Sequence, residues 1–281
     1  MTERWFEEKH TPNVVLKLAV GETLFDEHSP YQHVQILETL QYGRMMLLNG
    51  CVMLTEEDEF VYHEMLVHVP LFAHGSPEHV LIIGGGDGGS VREALKHPTV
   101  KSVTLVEIDE MVIDASKRFL PTLSSGFDDP RVTVCVEDGF DHLEEHEGAY
   151  DVVLTDSLDP VGESAKLFTS PYYDRIHDAL RPGGVAAFQT ESPFHNRQVV
   201  GGAYNKLSRS FKQVHPYLAA IPTYPSGLWS FTFASDAVDP AQAQPRFEAP
   251  FLDELKYFNP QVFRAAFALP NFVKRLLVEG E

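Results

Sequence analysis

Short apolar, β-branched runs separated by turn residues fill the first sixty positions. Asn13 to Val20 is apolar and β-branched, Tyr31 to Leu40 alternates, and Arg44 to Leu48 and Cys51 to Thr55 flank Asn49-Gly50, the strongest short hairpin signal. These runs predict a small antiparallel β domain over residues 1–58. From Glu59 to His74 the period lengthens: Phe60, Met65, Leu66, Val69 and Phe72 recur at helical spacing, so a helix leads out of the β domain. Short apolar strands then alternate with helices. Strands are expected at His79 to Ile83, Ser102 to Val106, Val132 to Val136, Val152 to Thr155 and Val185 to Gln189. Helices are expected at Ser90 to Lys96, Glu110 to Phe119, Phe140 to Glu147, Pro171 to Leu180 and Val199 to Phe211. Such alternation predicts an α/β domain over 59–281, a doubly wound parallel sheet covered on both faces. Arg181-Pro182-Gly183-Gly184 should stop one helix and turn the chain into the next strand. The Pro-, Ala- and Gln-rich stretch from Asp236 to Pro250 reads as a surface connection, and the last thirty residues as a helix and tail.

Composition narrows the ligand classes. The chain has 281 residues, 41 Asp and Glu against 22 Lys and Arg, and a formal net charge of −19. Phosphate contacts need Lys and Arg, so nucleic acid and anionic membrane are excluded as expected partners. A negative field does suit a cationic ligand, although solubility alone accounts for the charge. No apolar run approaches the ~20 residues that span a bilayer. The N-terminus lacks the apolar stretch of a secretory signal. The two cysteines, Cys51 and Cys135, show no paired spacing and lie in apolar, strand-like surroundings. They read as buried thiols of a reducing compartment, so a cytoplasmic location is expected.

Chemistry first enters at Val80-Leu81-Ile82-Ile83, which runs straight into Gly84-Gly85-Gly86-Asp87-Gly88-Gly89 and a helix. A glycine turn at that place lets a ligand approach the backbone closely. Glu107 ends the next strand twenty residues after Asp87, where an acid is positioned to accept both ribose hydroxyls of a nucleoside. Asp87 projects a carboxylate where a dinucleotide would place its pyrophosphate, which favours an adenosyl ligand without phosphates. Ordinary S-adenosylmethionine carries a carboxylate that Asp87 would also disfavour. Its decarboxylated form ends in an ammonium that Asp87 could hold by a charge-assisted hydrogen bond. The alternative for Asp87 is a cap on the following helix. Glu137-Asp138-Gly139 follows the third strand of this series; Asp138 sits where adenine-binding acids often lie, and it too could be an N-cap.

The stretch Thr155-Asp156-Ser157-Leu158-Asp159-Pro160 ends an apolar strand in two carboxylates three positions apart. If this strand lies beside the first one, Asp156 and Asp159 face the glycine loop across the crevice at the carboxyl ends of the strands. Such a pair suits alkylation of an amine. The amine arrives protonated, with a pKa near ~10, and only its free lone pair attacks. One carboxylate takes the proton while the other holds a distal ammonium. Displacement at a sulfonium needs no metal, and no metal-ligand spacing is visible among the 13 His and two Cys. An isolated pair of this kind also fits a turn cap and a solvated loop acid.

At this point the residues resemble the spermidine synthase (polyamine aminopropyltransferase) family. The segments GGGDGG at 84–89, VEID at 106–109, EDGF at 137–140 and TDSLDP at 155–160 occur in that family's order and spacing. So do DEFVYHE at 58–64, IPTYPSG at 221–227 and AAFALP at 265–270, and the set covers the chain from about residue 30 onward. The resemblance implies a small N-terminal β domain followed by a Rossmann-like, methyltransferase-type catalytic domain, assembled as a homodimer or homotetramer. It implies transfer of the aminopropyl group of decarboxylated S-adenosylmethionine, a co-substrate and not a cofactor, onto putrescine, giving spermidine and methylthioadenosine. By the same resemblance Asp156 is the proton acceptor, and Asp87 and Asp159 bind the amine groups of donor and acceptor. Glu107 binds ribose, Asp138 with Gly139 contacts adenine, and Gln32 and the glycines Gly84, Gly85 and Gly86 lie at the nucleoside. Tyr62, His63, Ser157, Gln189 and Tyr224 line the polyamine channel. A phenol is apt there, since its ring packs along methylenes.

One departure stands out. The family usually reads D-P-x-G-P-A-E-x-L-F after the catalytic acid, and this chain has Asp159-Pro160-Val161-Gly162-Glu163-Ser164-Ala165-Lys166-Leu167-Phe168. Glu163 replaces a proline that touches the adenosyl group in a loop that gates the site, and without it the loop should lose more entropy on closing. Other acceptors (cadaverine, agmatine, spermidine), a methyltransferase and a non-catalytic polyamine sensor are the alternative functions.

Overall fold

The computed structural model describes residues 4–160, 162–245 and 247–279, without the side chains of Glu163 and Glu279. The chain opens with five antiparallel strands: β1 (Arg4–Thr11), β2 (Val14–His28), β3 (His33–Thr39), β4 (Arg44–Leu48) and β5 (Cys51–Thr55). They pair in sequence order as a meander. Asn49 and Gly50 both have positive φ, 53° and 78°, as the two-residue hairpin between β4 and β5 requires. β1 falls outside the strands expected from sequence, because its polar residues Arg4, Glu7, Glu8 and Lys9 hide the alternation.

Helix α1 (Glu59–His74) follows as expected and is buried along nearly its whole length. A helix apolar on most sides belongs inside, and α1 packs against β9 (Tyr150–Asp156), β10 (Leu180–Gln189) and α2 (Gly89–Leu95). The second sheet has seven strands. Its parallel part is β10-β9-β6-β7-β8, with β6 (His79–Gly84), β7 (Ser102–Glu107) and β8 (Val132–Val136). Helices α3 (Glu110–Phe119), α4 (Gly139–Glu144), α5 (Ser170–Ala179) and α6 (Arg197–Ser210) connect or flank these strands. Two further strands complete the sheet: β12 (Leu228–Ser235) pairs antiparallel with β10, and β11 (Gln213–Ala220) pairs antiparallel with β12 at the edge. Near the C-terminus, α7 (Pro260–Ala266) and α8 (Asn271–Glu279) stand where a single helix was expected; Leu269-Pro270 separates them. Arg181 to Gly184 does not lie before a strand but inside β10, where the pairing register with β9 shifts.

Two features of this topology place the site. β6 lies between β7 and β9, so the connections from β6 and β9 leave in opposite directions and open a crevice at their carboxyl ends. The N-terminal sheet closes one side of it: Val34, Ile36, Met46, Leu48 and Leu54 share an apolar cluster with Val112 and Ala115 of α3 and with Leu120 and Leu123.

Candidate active site

The glycine loop takes its path from missing side chains. Gly84 has φ +80°, and a Cβ there would lie 2.1 Å from the carbonyl oxygen of Asp156, so β6 and β9 can run this close at their ends only with glycine in this place. The register sets Gly84 beside Asp156, the adjacency expected from sequence.

A cavity of about 270 Å³ opens between this loop and the N-terminal sheet. Gln32, Gly84, Gly85, Gly86, Asp87, Glu107, Asp138, Gly139 and Asp156 all line it, as do Tyr62, His63, Ser157 and Tyr224. Glu107 is buried at the end of β7 and accepts the Gly86 amide at 3.2 Å and the Asp109 amide at 3.0 Å. Burial, aided by the charges of Asp109 and Asp156, pushes its carboxyl up to about 7. Asp138 accepts the Phe140 amide at 2.9 Å and caps α4, so its capping alternative is realised while it still lines the cavity. Lys166 is ion-paired with it. Gln32 donates to Asp109 at 2.8 Å.

Asp87 is not the cap of α2, a position held by Gly88, but its Oδ1 accepts the Gly89 amide at 2.7 Å. The same oxygen lies 3.2 Å from His63 Nε2. His63 Nδ1 in turn lies 2.6 Å from Glu59, which Arg92 bridges at 2.9 and 3.0 Å. Burial alone would neutralise His63, but Asp87 and Glu59 outweigh it and hold the imidazole well above its ordinary range. Burial would likewise raise Asp87, yet His63 and the Gly89 amide hold that carboxyl below the ordinary range. Asp156 has the opposite balance. Tyr62 Oη donates to it at 2.7 Å and Ser90 Oγ at 2.6 Å, but burial and the charge of Asp87 raise its carboxyl nonetheless. Burial and Asp156 keep the Tyr62 phenol well above its ordinary range, so it remains a donor.

The two acids of the Asp156–Asp159 pair separate. Only Asp156 faces the glycine loop; Asp159 lines a second cavity of about 40 Å³ with Glu8, Cys51, Gln189 and Trp229. The expectation that both face the loop is corrected by simple geometry, since residues three apart on an extended chain point to opposite sides. Met53, Tyr62, Ser157, Leu158 and Tyr224 line both cavities, which therefore share a wall. Gln189 ties that wall together: its amide donates to the Ser157 carbonyl at 3.0 Å and its oxygen accepts the Glu191 amide at 3.1 Å. Tyr224 donates to the Met53 carbonyl and packs edge-on against Trp229. Glu163 belongs to the loop after β9, and its side chain lies outside the described residues.

Two further acids were missed from sequence. Glu191 is 1% exposed, has φ 72°, and neither carboxylate oxygen has a hydrogen-bond partner among the described residues. Burial and the neighbouring Asp159 push its carboxyl well above the ordinary range. Glu8, on β1, accepts the Val52 amide at 3.1 Å, and burial together with Asp159 pushes it up to about 7. Ser157 Oγ and Trp229 Nε1 are also buried without a partner among the described residues. A signal for Glu191 existed, two positions past the carboxyl end of β10 where ligand-binding acids gather. None marked Glu8.

Comparison with known proteins agrees with this arrangement. Residues 59–245 match the model described as the spermine/spermidine synthase domain, and residues 4–56 the one described as the spermidine synthase tetramerisation domain. The chain is 49% identical to a polyamine aminopropyltransferase of Thermoanaerobacter sp. (strain X514) over 281 residues, covering 99% of both chains. It is 46% identical to the polyamine aminopropyltransferase of Bacillus subtilis (strain 168) over 278 residues, 99% of this chain and all of that one. Among solved structures, a spermidine synthase in complex with the transition-state analogue AdoDATO superposes with a TM-score of 0.96 at 42% identity, covering 99% of this chain and 96% of that one. Spermidine synthase from Thermotoga maritima gives 0.95 at the same identity and coverage. The chain therefore belongs to the spermine/spermidine synthase family.

Proposed function

We propose that this protein is a polyamine aminopropyltransferase that moves the aminopropyl group of decarboxylated S-adenosylmethionine onto putrescine. The observation that carries the reading is the shared wall: a nucleoside-sized cavity with Glu107 and Asp138 adjoins an acidic one lined by Glu8 and Asp159, with Glu191 behind Asp159, and Asp156 stands beside their boundary. In this reading Glu107 accepts the ribose hydroxyls, and Asp138 with Gly139 contacts adenine. Gly84, Gly85 and Gly86 let the nucleoside approach the backbone, with Gln32 at its edge and Glu163 on the gating loop. Among the described residues, the hydrogen bond of Asp87 to the Gly89 amide and its ion pair with His63 both use Oδ1. Its Oδ2 is left for the ammonium of the donor tail.

The acceptor diamine lies across the wall, its methylenes against Tyr62 and Tyr224. Asp159, with Glu191 and Glu8, holds its distal ammonium. Asp156 removes one proton from the proximal ammonium, and the freed lone pair forms the C–N bond to the carbon next to sulfur. The C–S bond breaks, its electron pair neutralises the sulfonium, and methylthioadenosine leaves. The sulfonium is already an activated leaving group, so this chemistry calls for no cofactor. His63 acts on the donor side, by keeping Asp87 ionised. The match of residues 4–56 to a tetramerisation domain supports assembly as a homo-oligomer, dimer or tetramer.

The test is product analysis by mass spectrometry with putrescine, cadaverine, agmatine and spermidine side by side, each with decarboxylated and with ordinary S-adenosylmethionine. Methylthioadenosine and spermidine should form fastest from putrescine and the decarboxylated donor. Faster turnover of another amine overturns the acceptor assignment, and absence of methylthioadenosine with every amine overturns the reaction.

A further inference from the structure

Outside both cavities a second constellation has formed. Cys135 in β8, Glu137 just beyond its end and His142 in α4 each place one ligand atom within 4.8 Å of the others. The spacing C-x-E-x₄-H gave no signal in the sequence. The strand-to-helix turn creates the cluster: residues two apart share a strand face, and the helix capped by Asp138 brings His142 back over them. Cys135 is half-buried and not, as expected, a buried thiol.

His142 is held as an oriented imidazole. Its side chain is 3% exposed, Nδ1 lies 2.7 Å from Glu137 Oε1, and Nε2 lies 2.8 Å from Tyr150 Oη. The ring of His146 stacks on it with centroids 4.0 Å apart, and His146 Nδ1 donates to the His142 carbonyl at 2.7 Å. A phenol on one ring nitrogen and a carboxylate and thiol near the other resembles a metal-bound histidine fixed by an outer partner.

We propose that Cys135 Sγ, a Glu137 carboxylate oxygen and His142 Nδ1 form a binding site for a thiophilic divalent cation of the zinc class, with water as fourth ligand. The mixed sulfur, nitrogen and oxygen set suits zinc or cobalt, while magnesium and calcium prefer oxygen alone. Tetrahedral zinc holds its ligands roughly 3.5 Å apart. Glu137 Oε1 and His142 Nδ1, now 2.7 Å apart, must open slightly around an ion while Cys135 Sγ lies within 4.8 Å of both, an adjustment the exposed Glu137 side chain can accommodate. The ion replaces the proton between Glu137 and His142, Nε2–H then donates to Tyr150, and the Cys135 thiol gives up its proton to solvent. Only the thiolate form of a cysteine ligates, so binding releases a proton and affinity should rise with pH. The ligands bracket Asp138 and Gly139, so the ion would fasten a segment that lines the nucleoside cavity. The other grouping of this kind among the described residues, His63 with Asp87 and Asp156, belongs to the candidate active site and contains no sulfur.

The test uses the full chain, stripped with chelator and titrated with Co²⁺ and then Zn²⁺ alone. Wild type should develop a sulfur-to-cobalt charge-transfer absorption that saturates at about one equivalent per chain and is abolished by Zn²⁺. Cys51→Ser should keep the band and Cys135→Ser should lose it, with Zn²⁺ affinity falling at least ~10-fold in a chelator competition. His142→Gln should weaken Zn²⁺ similarly. Cys135 is part-exposed, so its serine variant keeps the test decisive if the buried His142 variant fails to fold. No sulfur band in wild type, a band that survives Cys135→Ser, or equal Zn²⁺ affinity in that variant overturns the site.

Discussion

Asp87 and Asp156 are two carboxylates of one cavity held in opposite states. His63 and a backbone amide keep Asp87 below the ordinary range, while burial and the charge of Asp87 itself lift Asp156. An ionised acid is a good anchor for an ammonium, and a lifted one is a better base near neutral pH. Asp156→Asn should therefore lower kcat by about 10²–10⁴-fold, the usual loss for a general base. Asp87→Asn should instead weaken decarboxylated S-adenosylmethionine by about 1.5–3 kcal/mol and methylthioadenosine much less, since only the former carries the ammonium. Calorimetry with both nucleosides and a saturating-diamine assay separate these effects; a near wild-type kcat for Asp156→Asn places the base elsewhere, with Tyr62 next. Glu107 gives a pH prediction. Its carboxyl is raised from 4.5 to about 7, so the folded protein holds the proton more tightly than the unfolded chain, and this group's contribution to stability declines as pH rises from about 4.5 to 7. Ribose hydroxyls donate to the ionised form. Methylthioadenosine affinity should then climb with pH toward about 7 and level off above it, and Glu107→Gln should bind weakly with no such climb. A flat wild-type profile would remove Glu107 from the ribose. Asp87, Glu107, Asp138 and Asp156 were legible in the sequence because each lies in the glycine loop or at the end of an apolar strand. Glu8 and Glu191 were not, because their meeting with Asp159 is made by the tertiary fold alone.

Elements repeat that contrast. The strands of the parallel sheet and the helices between them were readable because apolar runs alternate with 3.6-residue periodicity. β11 and β12 lie beyond that alternation, with β12 antiparallel between β10 and β11, and Pro216 within β11 argues locally against a strand until its edge position is known. β1 is the element with the largest functional consequence. Among the described residues it is the edge strand of the N-terminal sheet, paired with β2, and it delivers Glu8 to the second cavity. Glu8→Gln keeps an oxygen for the Val52 amide and removes a carboxyl that burial has pushed up to about 7. KM for putrescine should rise several-fold, and KM for a monoamine of equal length should hardly move. The sign of the stability effect is opposite. An acid raised in the folded state costs stability once ionised, so above about pH 7 the unliganded variant should melt a few degrees higher than wild type, and the two should converge near pH 4.5. Thermal melts at pH 5 and pH 8, read beside the two KM values, check both halves. Unchanged discrimination between diamine and monoamine would take β1 out of acceptor binding.

For the whole molecule, the charge of −19 acquires a direction. The walls of both cavities carry carboxylates: Asp87, Glu107, Asp138 and Asp156 in one, Glu8 and Asp159 in the other, with Glu191 beside Asp159. Among the described residues lining either cavity Lys166 is the single Lys or Arg, and it is paired with Asp138. Both proposed substrates are cations of about two charges at neutral pH, from amines with a pKa near ~10 and, for the donor, a sulfonium. Methylthioadenosine has lost both charges, so the same field that draws substrates in does not hold the product. A cleft lined by one sign of charge raises association rates by ~10–10³-fold at low salt, and the effect fades as the screening length falls to about 10 Å at 0.1 M. Accordingly kcat/KM for putrescine should fall several-fold between about 20 mM and 300 mM monovalent salt, with kcat nearly constant, because screening slows encounter and leaves the bound complex alone. The dissociation constant of methylthioadenosine should change less than about twofold over the same range. Neutralising acids that line neither cavity, such as Glu22 and Asp114, should blunt the salt dependence only slightly. Glu8→Gln should blunt it measurably, since its charge borders the acceptor's own path. Stopped-flow binding of diamine and nucleoside across that salt series decides the matter: equal salt slopes for the cation and the neutral product would mean that the excess acid serves solubility and the field does not steer.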